Sequence, residues 1–214
     1  MLEIFTALTD WLEMLLEQLS GNIWLALLFI FLIAATEAVF ILGLFIPSTP
    51  VLLLAGGLIA DGRLPFWEIY LVAVLGAVVG DAISYTVGYW LKDSIKTVWP
   101  FRNYLHLIDR GEAFFARHGG KSVFIGRFIP GVKAVVPGIA GMFGMDYRRF
   151  SIINVTSAFV WAAAHILPGM LLSAWLRSMG LSLEWVILIG AAVIVVLLLI
   201  AHNWHRLLHS GATD

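Results

Sequence analysis

The sequence predicts an all-α integral membrane protein built as an inverted repeat of two re-entrant hairpins plus transmembrane helices. Of its 214 residues, 61% are hydrophobic and only 13% are charged, so polar side chains are too few to cover a water-facing surface. A proline-broken motif also occurs twice, as GLFIP at 43–47 and GRFIP at 126–130. Broken apolar segments repeated in two halves are typical of transporters, whose substrate sites lie where the breaks meet.

The first expected element is an N-terminal amphipathic helix, residues 1–20, that lies in the membrane interface. Apolar side chains recur there at helical spacing opposite an acidic face; they are Ile4, Leu8, Trp11, Leu15 and Leu19. The segment has no Lys or Arg and no long apolar run. It is therefore not expected to be a cleavable signal peptide.

Four apolar stretches then approach or exceed the roughly 20 residues needed to cross a bilayer; they are 22–46, 67–91, 150–176 and 183–201. Two other apolar pieces, 50–60 and 122–145, are short or interrupted by Gly and Pro. Lipid cannot satisfy free backbone groups, so such pieces need protein or a wet cavity around them. We expect re-entrant hairpins at about 37–60 and 121–145, with breaks at Pro47, Pro50, Pro130, Gly131 and Pro137.

These pieces form a single membrane domain of two repeats, 22–91 and 121–176, followed by a C-terminal transmembrane helix at 183–201. A cytoplasmic amphipathic connection at 92–120 joins the repeats, with its apolar stripe on Phe101, Tyr104, Leu105, Ile108 and Phe115. If both termini are cytoplasmic, nine Lys and Arg residues lie inside and only two, Arg63 and Arg177, outside. This split obeys the positive-inside rule and makes the hairpins enter from opposite faces.

Five ionisable residues fall within the apolar segments: Glu37, Asp81, Arg127, Lys133 and His165. A lone charge in the membrane costs at least ~2.5 kcal/mol, so each needs a partner or a water-filled cavity. Aligning the repeats on Phe66 and Phe150 gives an offset of 84 residues, which also relates Asp81 to His165. Each half would thus carry one titratable group at the same depth of its long helix.

Among these ionisable residues, the basic ones are expected to bind an anion, and the carboxylates and the histidine are expected to carry a coupling ion. A broken helix exposes free N–H groups at its N-terminus, and these amides with Arg127 and Lys133 would bind a phosphate or other anionic headgroup. Lys121 starts the second hairpin, where it would meet lipid phosphate. Glu37, or Asp81 with His165, would carry a proton or a monovalent cation.

Structural roles for the same residues remain open at this point. Glu37 and Arg127 could form an ion pair that only joins the hairpins. Asp81 could cap a neighbouring helix or bond Tyr85, because it lies beside a row of small residues that favours close helix contact; the row is Gly76, Gly80, Ser84 and Gly88. His165 could be a satisfied interior histidine.

Other classes of function lack their residues. A net charge of −1 argues against nucleic acid, which requires an excess of Lys and Arg. The chain has no Cys, and its helically spaced His202, His205 and His209 lie in a short polar tail, so neither a metal nor another cofactor is expected. We find no nucleophile–base set, and we expect a protein that is not an enzyme.

Several motifs together resemble the DedA family, also called SNARE-associated or VTT-domain proteins. They are Glu37 with Gly43-x-x-x-Pro47, Gly80-Asp81-x-x-x-Tyr85-x-x-Gly88, residues 118–121, and the run from Gly126 through Lys133 to Pro137, Gly141, Arg149-Phe150, Asn154 and Trp161. The resemblance implies paired re-entrant hairpins, envelope homeostasis, transport driven by the proton motive force and, in some members, flipping of undecaprenyl phosphate. Eukaryotic relatives are lipid scramblases. Glu37, Arg127 and the basic position Lys133 match residues that the family needs.

The chain departs from the family pattern at three places. Ser48-Thr49 follow the first break where many members have an acidic residue, Lys133 replaces a common Arg, and Tyr89-Trp90 replace a small basic motif. Lys keeps the charge of Arg but loses its bidentate fork. The missing carboxylate gives Asp81 or His165 more weight as the proton carrier.

The sequence therefore predicts a multi-pass bacterial inner-membrane transporter that moves an anionic lipid, with polyprenyl phosphate as first choice, coupled to protons or cations. A homo-oligomer is compatible with this prediction. One alternative is a proton- or sodium-coupled exporter of small cations or drugs, in which Glu37 or Asp81 matters and Lys133 does not. The other is a scaffold that transports nothing, in which the charges only hold the bundle together.

Overall fold

The computed structural model describes residues 21–39, 42–44, 48–99, 101–129, 132–133 and 135–180. All secondary structure in these ranges is helical: α1 (Ile23–Ala38), α2 (Thr49–Ala60), α3 (Phe66–Leu91), α4 (Leu105–His118), α5 (Lys121–Gly126), α6 (Val136–Met142) and α7 (Tyr147–Ser178), with 3₁₀ turns at Leu42–Leu44, Lys92–Lys96 and Phe101–Tyr104. The predicted interfacial helix and the helix predicted at 183–201 lie outside the described residues. So do Pro47, Pro130 and Gly131 of the predicted breaks.

Local sequence explains where the helices begin. The side chain of Asn22 accepts hydrogen bonds from the backbone N–H groups of Trp24 (3.1 Å) and Leu25 (3.4 Å) at the start of α1. Pro50 and Pro137 lie in the first turns of α2 and α6, where the missing N–H of proline costs nothing. The two break prolines that the structure describes thus each start a helix.

Two helices are long and apolar enough to cross a membrane. They are α3, with 26 residues, and α7, with 32, and at 1.5 Å per residue they reach about 39 and 48 Å. Helices α1 and α2 are apolar but shorter. Large apolar side chains stand exposed on the outer surface, among them Trp24, Leu28, Leu75, Ile152 and Leu171, and such an exterior fits contact with lipid.

The second limb of each predicted hairpin packs on the long helix of the other half. Helix α2 packs against α7, and α6 packs against α3. Glycines permit both contacts: a Cβ atom on Gly56 would overlap the Ile166 carbonyl oxygen, and one on Gly141 would overlap the Tyr85 carbonyl oxygen. The two halves therefore hold each other by reciprocal, backbone-to-backbone contacts.

These contacts place the long helices in a register that differs from the predicted alignment. The equivalent contact residues Ile166 and Tyr85 are 81 positions apart, and so are Met170 and Tyr89. The predicted offset was 84, so the difference is most of one helical turn. The contact register relates Asp81 to Ala162, and the predicted relation of Asp81 to His165 is wrong by this measure.

The connection between the halves contains the predicted amphipathic helix, α4. Its buried residues Leu107 and Ile108 pack on Val135 and Ile139 at the start of the second hairpin limb. Gly111 keeps α4 close, since a Cβ there would lie 2.8 Å from Cγ2 of Val135. The predicted apolar stripe is shifted, because Leu105 is exposed and Leu107 is buried instead.

Candidate functional site

Four of the five predicted intramembrane ionisable residues meet at one small cavity between the halves. The residues come from the last turn of α1, the middle of α3, the end of α5 and the turn before α6; they are Glu37, Asp81, Arg127 and Lys133. The cavity has a volume of about 20 Å³. This is room for about one water molecule, so the site has no space for a larger group in this conformation.

Arg127 and Asp81 form one ion pair at the centre of the molecule. Nη2 of Arg127 donates to Oδ2 of Asp81, and the two side chains are only 7% and 8% exposed. A pair buried to this extent needs further hydrogen bonds to offset its desolvation. Asn154 of α7 supplies one, since its Oδ1 accepts from Nη2 of Arg127 (2.5 Å) while its Nδ2 donates to the Val78 carbonyl oxygen (3.1 Å). Asn154 thus fixes the guanidinium against two helices.

Glu37 and Lys133 form the second ion pair, which joins the two predicted hairpins. Nζ of Lys133 donates to Oε1 of Glu37 at 2.5 Å, and Ser48 donates to the same carboxylate through its hydroxyl and its backbone N–H. Gly43 lets the chain turn back past Glu37, because a Cβ there would overlap the Glu37 carbonyl oxygen. Glu37 is 4% exposed, whereas Lys133 is 25% exposed, so the lysine lies on the open side of the pair.

The observed pairs replace the structural alternatives drawn from the sequence. Glu37 pairs with Lys133 rather than with Arg127, and Asp81 pairs with Arg127 rather than capping a helix. Tyr85 does not bond Asp81, because its hydroxyl donates to the Met145 carbonyl oxygen. The small-residue row has the predicted helix-packing role, since a Cβ on Gly76 would lie 3.0 Å from Ala34 Cβ of α1.

One hydrogen-bond donor of Arg127 is unpaired among the described residues. Its Nε has no hydrogen-bond partner among the described residues although it is buried. An unpaired buried donor costs about 1–3 kcal/mol, and the cavity beside it has room for one water-sized acceptor. The guanidinium therefore has one donor that neither Asp81 nor Asn154 satisfies.

The charges of the cluster balance. Two carboxylates and two cations meet at the cavity, so their formal charges cancel. A phosphate entering this site would add negative charge to a buried, closed volume, which is costly unless a carboxylate loses its charge or moves away. Chemically, the arrangement can exchange a carboxylate for another anion at a fixed cation, and protonation of the carboxylate favours that exchange.

The remaining predicted site residues lie away from the cavity or at its edge. His165 is half-buried and its Nδ1 donates to the Trp161 carbonyl oxygen (2.8 Å), so it meets none of the four charges. Lys121 is exposed at the start of α5. Pro137 lines the cavity and Pro50 does not. Across the described ranges, no group of three or more His, Asp or Glu side chains is placed to hold a metal ion.

Sequence reasoning missed Ser48 and Asn154 as parts of the site. Both are fully or almost fully buried, at 0% and 1% exposure, and both bind a charged member of the cluster. Neutral polar residues carry no large membrane cost, so they did not stand out as the ionisable ones did. The available signal was position: Ser48 directly follows the first break, and Asn154 belongs to the motif run of the second half.

Comparison with known proteins identifies the family of the chain. The model of the family described as the VTT domain matches residues 46–171, which include Asp81, Arg127 and Lys133. Inner membrane protein YabI of Escherichia coli K12 is 30% identical over 150 residues, covering 70% of this chain and 59% of YabI. Protein DedA of the same organism is 32% identical over 138 residues, covering 62% of each chain.

Inner membrane protein YqjA of Escherichia coli K12 is 34% identical over 119 residues, covering 55% of this chain and 54% of YqjA. The chain thus covers between 54% and 62% of the length of these three relatives. No solved structure matches it. The matched family model spans more than half of the chain, and the chain therefore belongs to the VTT-domain family of membrane proteins, which includes DedA, YabI and YqjA.

Proposed function

We propose that this membrane protein is a transporter that moves an anionic lipid between the leaflets of the bacterial inner membrane and so supports envelope homeostasis. Undecaprenyl phosphate is the first-choice substrate. One observation carries the proposal: two cation–carboxylate pairs, the buried Arg127–Asp81 and the partly buried Lys133–Glu37, meet in one cavity between the two halves. Intramembrane charges are costly, and clusters of them mark substrate and ion pathways.

In this scheme the cations bind the headgroup and the carboxylates control access to them. A phosphate that approaches Arg127 or Lys133 competes with Asp81 or Glu37. A displaced carboxylate would remain buried without a counterion, at a cost of several kcal/mol. Protonation removes that cost, so headgroup binding is coupled to proton uptake; a monovalent cation beside the carboxylate would serve in the same way.

The described conformation is the occluded state of this cycle. A cavity of about 20 Å³ is too small for a phosphate group, so the substrate requires movement of the segment that carries both cations. Arg127 and Lys133 lie between α5 and α6, two helices of only six and seven residues. Short helices beside a broken segment have few internal hydrogen bonds to lose, which suits them to this movement.

The same proposal includes the orientation of the chain in the membrane and roles for residues outside the cavity. Both termini are cytoplasmic, and Lys121 at the start of the second hairpin meets lipid phosphate at that face. The proposal keeps His165 as a carrier of protons or cations together with Glu37 and Asp81, at a position outside the cavity. The protein needs no cofactor and catalyses no covalent step, and a homo-oligomer is compatible with it.

Leaflet-resolved flipping in liposomes tests the proposal. The probe is a fluorescent polyprenyl phosphate, and the variants are Arg127→Ala and Glu37→Gln. We expect both to lose transport, whereas Arg102→Gln, which removes an exposed arginine outside the cavity, should keep it. Unchanged transport in both cavity variants would refute the assignment.

A scaffold without transport is the second candidate, and the complete pairing of the four charges favours it. The discriminating variant exchanges the partners of one pair, Glu37→Lys with Lys133→Glu. A structural pair tolerates reversal, because the attraction is unchanged. A headgroup site does not, because the cation would then lie on the wrong hairpin, so restored function in the exchanged variant would favour the scaffold.

A further inference from the structure

A second recess is lined by residues that lie close in sequence to Arg127 and Lys133. It lies between α4 and the side chains of Ile129 and Val132, has a volume of about 310 Å³, and is far larger than the central cavity. This volume is within the range of ligand-binding pockets. Its main lining residues are Arg110, Phe114, Arg117, His118, Ile129 and Val132.

The positive charge of this groove is not neutralised within the described part of the chain. Arg110 and Arg117 are exposed, they lie two helical turns apart on one face of α4, and neither has an ion-pair partner among the described residues. The groove is therefore lined by two guanidinium groups that have no ion-pair partner there, together with the His118 ring.

The acidic residues of α4 are engaged on another face of the helix. Nζ of Lys96 lies 2.9 Å from Glu112 and 3.1 Å from Asp109, and the hydrogen bonds that it donates to Glu112 and Asp109 raise the pKa of Lys96. The acidic and the basic residues of α4 thus lie on different faces of the helix. Lys96 pairs with the acidic face, and the basic face is available to an anionic ligand.

The other wall of the groove is apolar. Phe114 faces Ile129 and Val132, which lie in the second predicted hairpin. Ile129 is two residues after Arg127, and Val132 directly precedes Lys133. Neighbouring residues of one short stretch of chain therefore line the groove and the central cavity.

We propose that this groove binds the phosphate head and first carbons of an anionic lipid from the adjacent leaflet. Two arginines match a phosphate, which they can bind through paired N–H groups. The apolar wall matches the acyl or isoprenoid carbons next to that phosphate, and a free phosphate ion would gain nothing from it. The site is separate from the Arg127–Lys133 cluster and goes beyond the proposed function, since lipid can bind here whether or not it is flipped.

Equilibrium binding to the full-length protein in phosphatidylcholine nanodiscs tests the inference, with fluorescent phosphatidic acid as the probe. The variant is Arg110→Gln with Arg117→Gln. An arginine near an anionic lipid surface contributes about 1 kcal/mol, so loss of both should weaken binding about 25-fold. The matched control, Arg102→Gln with Arg148→Gln, removes the same charge from exposed sites outside the groove and should change binding less than about twofold.

Three results would overturn the inference: equal losses in the two double variants, competition by inorganic phosphate at the concentration of the lipid, or complete loss of binding in Arg127→Gln. The last would place the lipid in the central cavity instead. Thermal unfolding of each variant shows that it is folded. Liposome transport is measured separately, so that a wild-type protein that binds phosphatidic acid at the groove but flips no lipid would refute the proposed function and leave the groove assignment intact.

Discussion

The Asp81–Arg127 pair allows stability and transport to be separated in one set of variants. Asp81→Asn leaves the guanidinium of Arg127 buried without its counterion, and Arg127→Gln leaves the carboxylate of Asp81 in the same state. Asp81→Asn with Arg127→Gln removes both charges and leaves two amides that can hydrogen-bond each other and Asn154. We expect each single change to be strongly destabilising and the double change to be milder than either.

The magnitudes follow from burial. Both side chains are less than a tenth exposed, and breaking a buried pair by removing one partner costs about 3–5 kcal/mol. That cost lowers the ratio of folded to unfolded protein by a factor of about 10² to 10³ or more. That cost arises from the uncompensated buried charge, which the double variant no longer contains, so the double variant should recover most of the loss.

An exposed pair provides the matched control. Lys96 binds Asp109 and Glu112 with 40% of its side chain exposed, and exposed ion pairs contribute only about 0–1 kcal/mol. Lys96→Gln should therefore change the free energy of unfolding by less than about 1 kcal/mol. A loss as large as that of the buried single variants would show that the burial argument is wrong.

The assays are denaturant titration of the detergent-solubilised protein, followed by tryptophan fluorescence, and lipid flipping in liposomes. We expect the double variant to be stable and inactive, because the fold tolerates two amides and the headgroup needs the cation. A double variant that loses the sum of the two single costs would refute the coupling of the pair. One that recovers transport along with stability would show that the pair is structural.

Two further variants test the second ion pair and the contact between the halves. Ser48→Ala removes the hydroxyl that donates to Glu37. Because hydrogen bonds to charged groups contribute about 1.5–3 kcal/mol, the free energy of unfolding should fall by that amount. A change below about 0.5 kcal/mol, which is the size of an ordinary surface substitution, would contradict the hydrogen bond. Gly141→Ala would place a Cβ against the Tyr85 carbonyl oxygen, and such overpacking should cost about 1–3 kcal/mol in the same titration. Gly21→Ala is its control, with nothing within 4 Å of the added atom, and equal effects of the two glycine variants would refute the close contact.

The long helices could be predicted from sequence because hydropathy is a local property. Residues 67–91 and 150–176 were expected to cross the membrane, and the structure has helices at Phe66–Leu91 and Tyr147–Ser178. The helix starts at Pro50 and Pro137 are local in the same sense, since proline fixes its own φ angle. Length, composition and proline position therefore suffice for these elements.

The pairing inside the site could not be predicted, because it depends on how the halves pack. A lone charge in the membrane costs free energy, and this cost identified four residues that need partners: Glu37, Asp81, Arg127 and Lys133. Two carboxylates and two cations, however, allow two different pairings. The alternative drawn from the sequence was an ion pair between Glu37 and Arg127. The observed pairing is the other one, and it is set by the glycine contacts that bring each hairpin limb onto the opposite long helix.

The same contacts decide the role of His165. A sequence offset of 84 related it to Asp81, but the contacts relate Asp81 to Ala162, three residues earlier. Three residues turn a helix by about 300°, which moves a side chain to a different direction. His165 accordingly bonds the Trp161 carbonyl oxygen, while Trp161 itself lines the cavity.

The two positions after the first break, where many members of the family have an acidic residue, are neutral in this chain. Thr49 is exposed, whereas Ser48 is fully buried and donates to Glu37. The cluster is neutral without a third carboxylate, because Asp81 balances Arg127 and Glu37 balances Lys133. A further buried carboxylate would leave an uncompensated negative charge, at a cost of several kcal/mol. The two carboxylates that remain are therefore the complement that the two cations require, and under the proposed function they are the groups whose protonation would release a cation for the headgroup.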